Sequence, residues 1–349
     1  MGLGRARIRR AIQAVPFLFI AAWCLRTMDV EKLAANQQPF ADSGIIEWEG
    51  GKISILDHFH HVEFLDQLWR GTTATFSPST LGYDPVSSWQ TFSFLIDIGP
   101  AYAIWLLESY RPGGVYTPAN FPTIFTLAAQ LLGIGSVAPI FYFLCLTFSP
   151  TASDLARSSV RDRTILQGTQ SSGLLLPIVF LLHTCEIFAM FLAPEPTTRH
   201  FWTWAWQLTP LWIGIAYSLY PRSSKTALLT STKFLLAALG SISAVVWVYT
   251  LLLSPYPMST LFLPVREVQS EFVAHARKAF QADELGLFSS SFLWLVYSFL
   301  DLYTSGLLGN DWLYQVALIP ITTAFAGPGV AFTVGWYLRE RALLSVKKN

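Results

Sequence analysis

The sequence predicts an all-α protein: a polytopic membrane helical bundle of about eight transmembrane helices, forming a single membrane domain over residues 1–349. Three observations carry that expectation. Hydrophobic residues make up 52% of the chain and charged residues only 13%, about half the charged share of a soluble domain. Eight apolar runs approach or exceed the roughly 20 residues that an α-helix needs to cross about 30 Å of hydrocarbon. Proline or glycine-proline breaks fall inside several of those runs, at Gly99-Pro100, Pro177, Pro210, Pro320 and Gly327-Pro328-Gly329. Such breaks are tolerated in a membrane where the freed backbone is buried in protein or lines a cavity, so they point to a bundle with a chamber.

Taken in order, the runs are 9–28, 89–110, 121–148, 173–193, 201–220, 227–254, 286–308 and 312–338. The first follows Arg5, Arg7, Arg9 and Arg10 and ends at Trp23-Cys24-Leu25-Arg26, with no small-x-small cleavage pattern, so it is expected to be a retained helix. Segment 29–88 is expected to be a lumenal loop. Phe59, Val62, Leu65 and Leu68-Trp69 recur at three to four residues, which predicts an amphipathic surface helix. A Pro/Gly/Ser-rich turn region, 76–85, follows it. Segment 255–285 is expected to be a cytosolic loop with a short helix around Val265–Ala282. No strong internal repeat is apparent. Both termini are basic, with Arg339, Arg341, Lys347 and Lys348 at the end. An even number of spans and the positive-inside rule then make both termini cytosolic, in a multi-pass protein expected in the endoplasmic reticulum.

The net charge of +1 gives no field to steer an anionic partner, so nucleic acid is not expected. Cys24, Cys145 and Cys185 fall in apolar segments, which argues against a disulfide framework or a zinc site.

Four carboxylic acids lie inside predicted spans: Asp97, Glu108, Glu186 and Asp301. An ionisable group at such depth costs roughly 3 kcal/mol on insertion scales and is a functional-site candidate. Counted from the ends of antiparallel spans, Asp97 and Asp301 fall at similar depth and could meet. Asp97 and Glu108 are eleven positions apart and share a helix face with Gln90, Ser93 and Trp105. His183 and Glu186 are three apart, which predicts a hydrogen-bonded pair. Trp294 and Tyr297 share the face of Asp301. Catalysis by a protonated Asp97 or Asp301 competes with plain structural hydrogen bonding, and Glu108 could simply pair with Arg111. Trp105 and Trp294, beside the acids, are the aromatic candidates for a substrate wall.

Asp57-His58-Phe59-His60-His61 looks like a metal cluster, but the chain has six histidines and three of them are scattered, so a solvated or headgroup-facing patch is expected and no metal. There is no Gly-rich phosphate loop, no Gly-x-Ser-x-Gly elbow and neither acidic motif of the soluble terpene cyclases.

The run Phe76-Ser77-Pro78-Ser79-Thr80-Leu81-Gly82-Tyr83-Asp84-Pro85-Val86-Ser87-Ser88-Trp89-Gln90, then Asp97-Ile98-Gly99-Pro100-Ala101-Tyr102-Ala103-Ile104 and Leu107-Glu108-Ser109, resembles the fungal integral-membrane terpene cyclases of meroterpenoid biosynthesis, in the branch of the ascofuranone and macrophorin cyclases. The resemblance implies a farnesylated aromatic substrate taken from the bilayer, protonation of its terminal epoxide or alkene, and closure through carbocations, with no cofactor, metal or obligate protein partner. Asp97 and Asp301 would be the acids, Glu108 and Glu186 second choices; Trp105, Trp294, Tyr297, His183 and Ser93 would line the substrate. The alternative reading is a proton-coupled transporter of a small lipophilic molecule, since intramembrane acids and broken helices suit that too.

Overall fold

The computed structural model describes residues 3–111, 117–159, 164–166, 175–219 and 232–345. Lys347, Lys348 and the starts of the predicted runs at 173 and 227 lie outside them. The described chain is all-α apart from one β-hairpin. Helix α1 (Leu3–Met28) leads into α2 (Val30–Ser43), the hairpin β1 (Ile45–Trp48) and β2 (Gly51–Ser54), and α3 (Glu63–Thr80). Next come α4 (Pro85–Ser109), α5 (Pro122–Leu132), α6 (Ile134–Phe148) and the short α7 (Ala152–Arg157). Helix α8 (Leu175–Val179) runs through a π-turn at Phe180–Thr184 into α9 (Cys185–Leu192). Then follow α10 (Pro196–Gln207), α11 (Thr209–Leu219), α12 (Thr232–Leu253), the short α13 (Met258–Phe262), α14 (Phe272–Thr304), α15 (Trp312–Ala326) and α16 (Pro328–Leu344).

Among the described residues, three helical stretches are long and apolar enough to cross a membrane: Gly4–Ser43, Thr232–Leu253 and Phe272–Thr304. Four shorter apolar helices of 10–17 residues accompany them. Run 201–220 divides at Leu208 into α10 and α11, and two further predicted runs divide at a glycine. Run 121–148 divides at Gly133 into α5 and α6, and run 312–338 divides at Gly327 into α15 and α16. Both dividing glycines have positive φ, 78° and 94°, with extended ψ, a conformation open to glycine and strained for other residues.

Two loop expectations are corrected as well. Segment 29–88 holds two helices and a hairpin, and α3 continues through Pro78 to Thr80, mostly buried, where a turn region was expected. Pro78 sits where its missing amide is absorbed, and the Ser77, Ser79 and Thr80 hydroxyls bond back to carbonyls of the preceding turn. Segment 255–285 is a loop only to residue 271. From Phe272 the chain enters α14, whose 33 residues run unbroken through the expected seventh span. Glu271 starts it, its carboxylate accepting the Val273 and Ala274 amides.

Side-chain contacts fix the directions. Gln90 donates to Glu284 (2.8 Å), and further along the same helices Trp105 reaches Ser291 through the Tyr142 hydroxyl, so α4 and α14 run parallel. Helix α6 runs with them, touching α14 at Gly135–Asp283, Tyr142–Ser291 and Ala152–Asp301. Helix α16 is a fourth parallel member, with Gly335 against Leu295 and Glu340 bonded to Arg111. Helix α1 is antiparallel: Cys24 bonds the Ala282 carbonyl and Tyr297 donates to the Gln13 carbonyl.

These four helices form a repeated arrangement that the sequence did not disclose. Each of α6 and α16 starts at a Gly-x-Gly, residues 133–135 and 327–329. Each start faces a buried aspartate on the long helix of the other unit. Asp283 of α14 accepts the Gly135 amide at 2.5 Å. Asp97 of α4 faces Gly329 and accepts a hydrogen bond from the Ser243 hydroxyl. The second glycine is required for closeness. A Cβ on Gly329 would lie 2.6 Å from the Asp97 carboxylate, and one on Gly135 would overlap the Asp283 backbone. Gly135→Ala is therefore expected to lower the thermal midpoint in detergent by the equivalent of about 1–3 kcal/mol of overpacking. Gly309→Ala, whose added methyl meets open space, should leave it unchanged within error, and equal melting of both would contradict the close approach.

Candidate active site

The parallel course of α4 and α14 decides which acids meet. Asp97 lies toward the Glu284 end of α14, and seventeen residues separate Glu284 from Asp301, roughly 25 Å of helix. Asp97 and Asp301 therefore do not converge. The expected pairing assumed antiparallel spans; the division of run 121–148 at Gly133 inserts one extra pass between them and reverses the relation.

Asp301 instead borders a small cavity of about 70 Å³ with Glu108, Trp105, Trp294 and Tyr297, so five of the expected site residues share one end of the bundle. The wall is aromatic. Trp105 packs on Phe141 at 4.3 Å between ring centres, and Trp294 stacks on Tyr142 at 5.5 Å. The acids are engaged, however. Glu108 accepts from Arg111 (2.8 Å), Arg339 (2.7 Å) and the Trp336 indole (2.7 Å). Arg111 and Arg339 also bind Glu340, which is fully buried and accepts the Ile165 amide. Two cations and two carboxylates thus close into a neutral network. Asp301 accepts the Ala152 amide at the start of α7 (2.6 Å). The cavity has room for a few water molecules, not for a prenyl chain.

The remaining expected residues sit elsewhere. Asp97 is 1% exposed, and its second oxygen has no partner among the described residues. Ser93, one turn away, is buried and likewise unpartnered among them. Neither borders a cavity described here. His183 and Glu186 do not form the expected pair. The π-turn at Phe180–Thr184 shifts the angular offset between them. His183 bonds the Leu95 carbonyl (2.8 Å) and accepts from the Trp206 indole, while Glu186 accepts from Thr209.

A second cavity, of about 230 Å³, lies toward the opposite end of α1, α4, α6 and α14. It is lined by Phe76, Phe94, Ile98, Tyr102, Trp206 and Phe280, among other apolar groups, and by one carboxylic acid, Asp283. It reaches the protein surface beside Leu131, 46% exposed. Sequence reasoning missed both Asp283 and its buried neighbour Glu284 because 255–285 was read as a loop. The available signal was the helical run of apolar positions from Phe272 onward, continuous with the seventh span.

In the histidine-rich segment, His58 and His61 are exposed, both with positive φ, while His60 is half-buried against Phe59 and Trp204 and its amide donates to Asp66. His200 accepts the Leu56 amide (3.3 Å) and the Trp204 indole (3.1 Å) on one nitrogen. Among the described residues no three His, Cys, Asp or Glu side chains assemble a metal-binding group.

Burial pushes the His200 imidazole down to about 4, since the charged form loses its hydration there. The unfolded chain binds the proton first as pH falls. This contribution is therefore complete above about pH 6.5 and is lost between there and pH 4, amounting to about 3 kcal/mol. His200→Gln should flatten the pH dependence of the melting temperature across that window; an unaltered slope would count against the assignment. At the other end, Glu108→Ala leaves two buried guanidinium groups to share Glu340. It is expected to reduce stability by about 3 kcal/mol or more, read as lost monodisperse protein in detergent, with normal yield the contrary outcome.

Comparison with known proteins bears on this geometry. The family model described as CtvD domain matches residues 47–344. The FAD-dependent monooxygenase verC1 of Penicillium polonicum is 27% identical over 98% of this chain and 44% of its own length. The FAD-dependent monooxygenase anuJ of Penicillium roqueforti is 25% identical over 96% of this chain and 41% of its own. The terpene cyclase ascI of Acremonium egyptiacum is 26% identical over 60% of this chain and 53% of its own. The chain thus spans less than half the length of the two monooxygenases. No solved structure matches.

Proposed function

This chain belongs to the CtvD domain family, and on that premise we propose that it is a membrane-bound terpene cyclase, one that protonates a farnesylated aromatic precursor and lets the polyene close through carbocations. The observation that carries the reading is an apolar, aromatic-walled cavity of about 230 Å³, bordered by a carboxylic acid and open to the surface. It approaches the roughly 300 Å³ at which ligand pockets begin. Aromatic faces stabilise developing cations through their quadrupoles. A positioned carboxylic acid can supply the proton. Similarity to the terpene cyclase ascI supports the same chemistry. About eight membrane crossings, location in the endoplasmic reticulum and cytosolic termini belong to the same proposal; Arg10 and Arg339, near the two termini, border one cavity and so lie at one end of the bundle.

The names of the monooxygenase relatives raise the question of FAD. Gly133-Ile134-Gly135-Ser136-Val137-Ala138 has the glycine spacing of a dinucleotide loop. A helix precedes it where that loop needs a strand, and Asp283 already takes the Gly135 amide. These residues do not fit a flavin, and no step is assigned to one here. In the relatives, flavin chemistry would reside in the length this chain does not cover. Oxygenation of an alkene yields an epoxide, so a monooxygenase joined to a domain of this kind favours an epoxide over an alkene as the group protonated.

Transport of a lipophilic molecule is the second reading, and the repeated units of long helix, short helix and Gly-x-Gly helix favour it, because transporters are often built from such repeats. Against it, Tyr142, Phe332 and Trp336 are fully buried where the two units meet. Membranes containing this chain should convert a farnesylated phenol bearing a terminal epoxide into a cyclic isomer of equal mass, with EDTA present. Recovery of unchanged substrate from folded protein would sink the cyclase reading, and its redistribution across sealed vesicles would establish the transporter.

A further inference from the structure

We infer that Asp283 is the proton donor of the aromatic-walled cavity, the group that opens the epoxide; this rests on the cyclase reading above. Besides Asp66, Asp84 and Glu186, which are held by the His60 amide, Arg277 and Thr209, three acids are buried along these helices, Asp97, Asp283 and Glu284. Only Asp283 borders the cavity. It is 8% exposed, against 1% for Asp97 and 4% for Glu284. Glu284 is held by the Gln90 amide, and Asp97 by Ser243 and Gly329. No ion pair among the described residues includes Asp283.

The plain alternative is that Asp283 only caps α6. The fold supplies the control for it. Asp97 stands in the equivalent place against α16, with the same kind of Gly-x-Gly start, yet does not line this cavity. A capping role predicts like behaviour for the two residues; a catalytic role predicts that they diverge.

The step balances without a co-reactant. The carboxyl proton moves to the epoxide oxygen, the carbon–oxygen bond breaks as the neighbouring alkene attacks, and the last cation loses a proton to the carboxylate. The product is an isomer of the substrate and the acid is restored. Phe76, Phe94, Tyr102, Trp206 and Phe280 present rings around the path.

Two measurements on the full chain in membranes decide it. Dicyclohexylcarbodiimide attacks protonated carboxyl groups in apolar surroundings, and peptide mass mapping locates the adduct. Modification of Asp283, sparing Asp97 and prevented by a farnesylated phenol, is expected; labelling of Asp97 alone, or of neither, overturns the assignment. Asparagine at either position still offers a carbonyl to the glycine amides. Asp283→Asn should therefore lower turnover at least about 100-fold, the low end for general acid catalysis, and Asp97→Asn by no more than about threefold per folded molecule. Equal losses, or none, overturn it. If wild-type membranes leave the epoxide intact, the cyclase reading fails, while the labelling pattern still shows whether Asp283 is the reactive acid.

Discussion

The fold depends on how a helix can begin inside an apolar bundle. The first amides of any helix lack intrahelical partners, and far from water an unmet donor costs a few kcal/mol. Helices α6 and α16 begin among buried side chains, not at a loop in solvent. Each start is met by an aspartate from a neighbouring long helix. The second glycine of each Gly-x-Gly lets that helix approach closely, and the first supplies the positive φ that turns the chain. Remove the acid and the amide is stranded; remove the glycine and the acid cannot reach. The carboxyl groups are thus part of the architecture before they are anything else.

The two units match at their helix starts and differ in what surrounds them. Beside Asp97, α12 brings the Ser243 hydroxyl, which donates to its carboxylate. Beside Asp283, the neighbours are α2, α3 and the end of α5, which meet less completely and leave a hollow. The inserted region between α1 and α4 therefore distinguishes the two units. At the far end the opposite solution holds: two arginines and two glutamates cancel one another, and the remaining space admits only water.

Much of this was legible in the residues. Composition and run length imply a helical membrane protein, and the i, i+3 spacing of Glu108 and Arg111 foretells their pairing. The aromatic neighbours expected of each acid, Trp105 for Glu108 and Trp294 and Tyr297 for Asp301, do lie beside it, although depth counting puts these two acids at opposite ends and they border one hollow. What stayed hidden has specific causes. A single glycine divides run 121–148, and hydropathy does not register a reversal inside an apolar stretch. That one reversal inverts the direction of α14 relative to α4, which is why depth counting brought Asp97 and Asp301 together wrongly. A π-turn parts His183 from Glu186 by altering the residues per turn. Asp283 and Glu284 escaped notice because adjacent charges in sequence look like a solvated loop, and only the packing of α14 against α4 and α6 buries them.

Capping a helix and donating a proton look like incompatible duties for one residue. The geometry argues otherwise. When a carboxylic acid gives up its proton, charge develops on its oxygens, and stabilisation is most useful there if the donors are already in place. The start of α6 supplies such donors: the Gly135 amide at 2.5 Å, backed by the positive end of the helix dipole. The same contact serves the resting protein as a cap and the reacting protein as an anion hole. It would serve Asp97 no less well, but Asp97 does not line the aromatic-walled cavity. What separates a structural acid from a reactive one in this fold is the hollow beside it, not the bond that holds it.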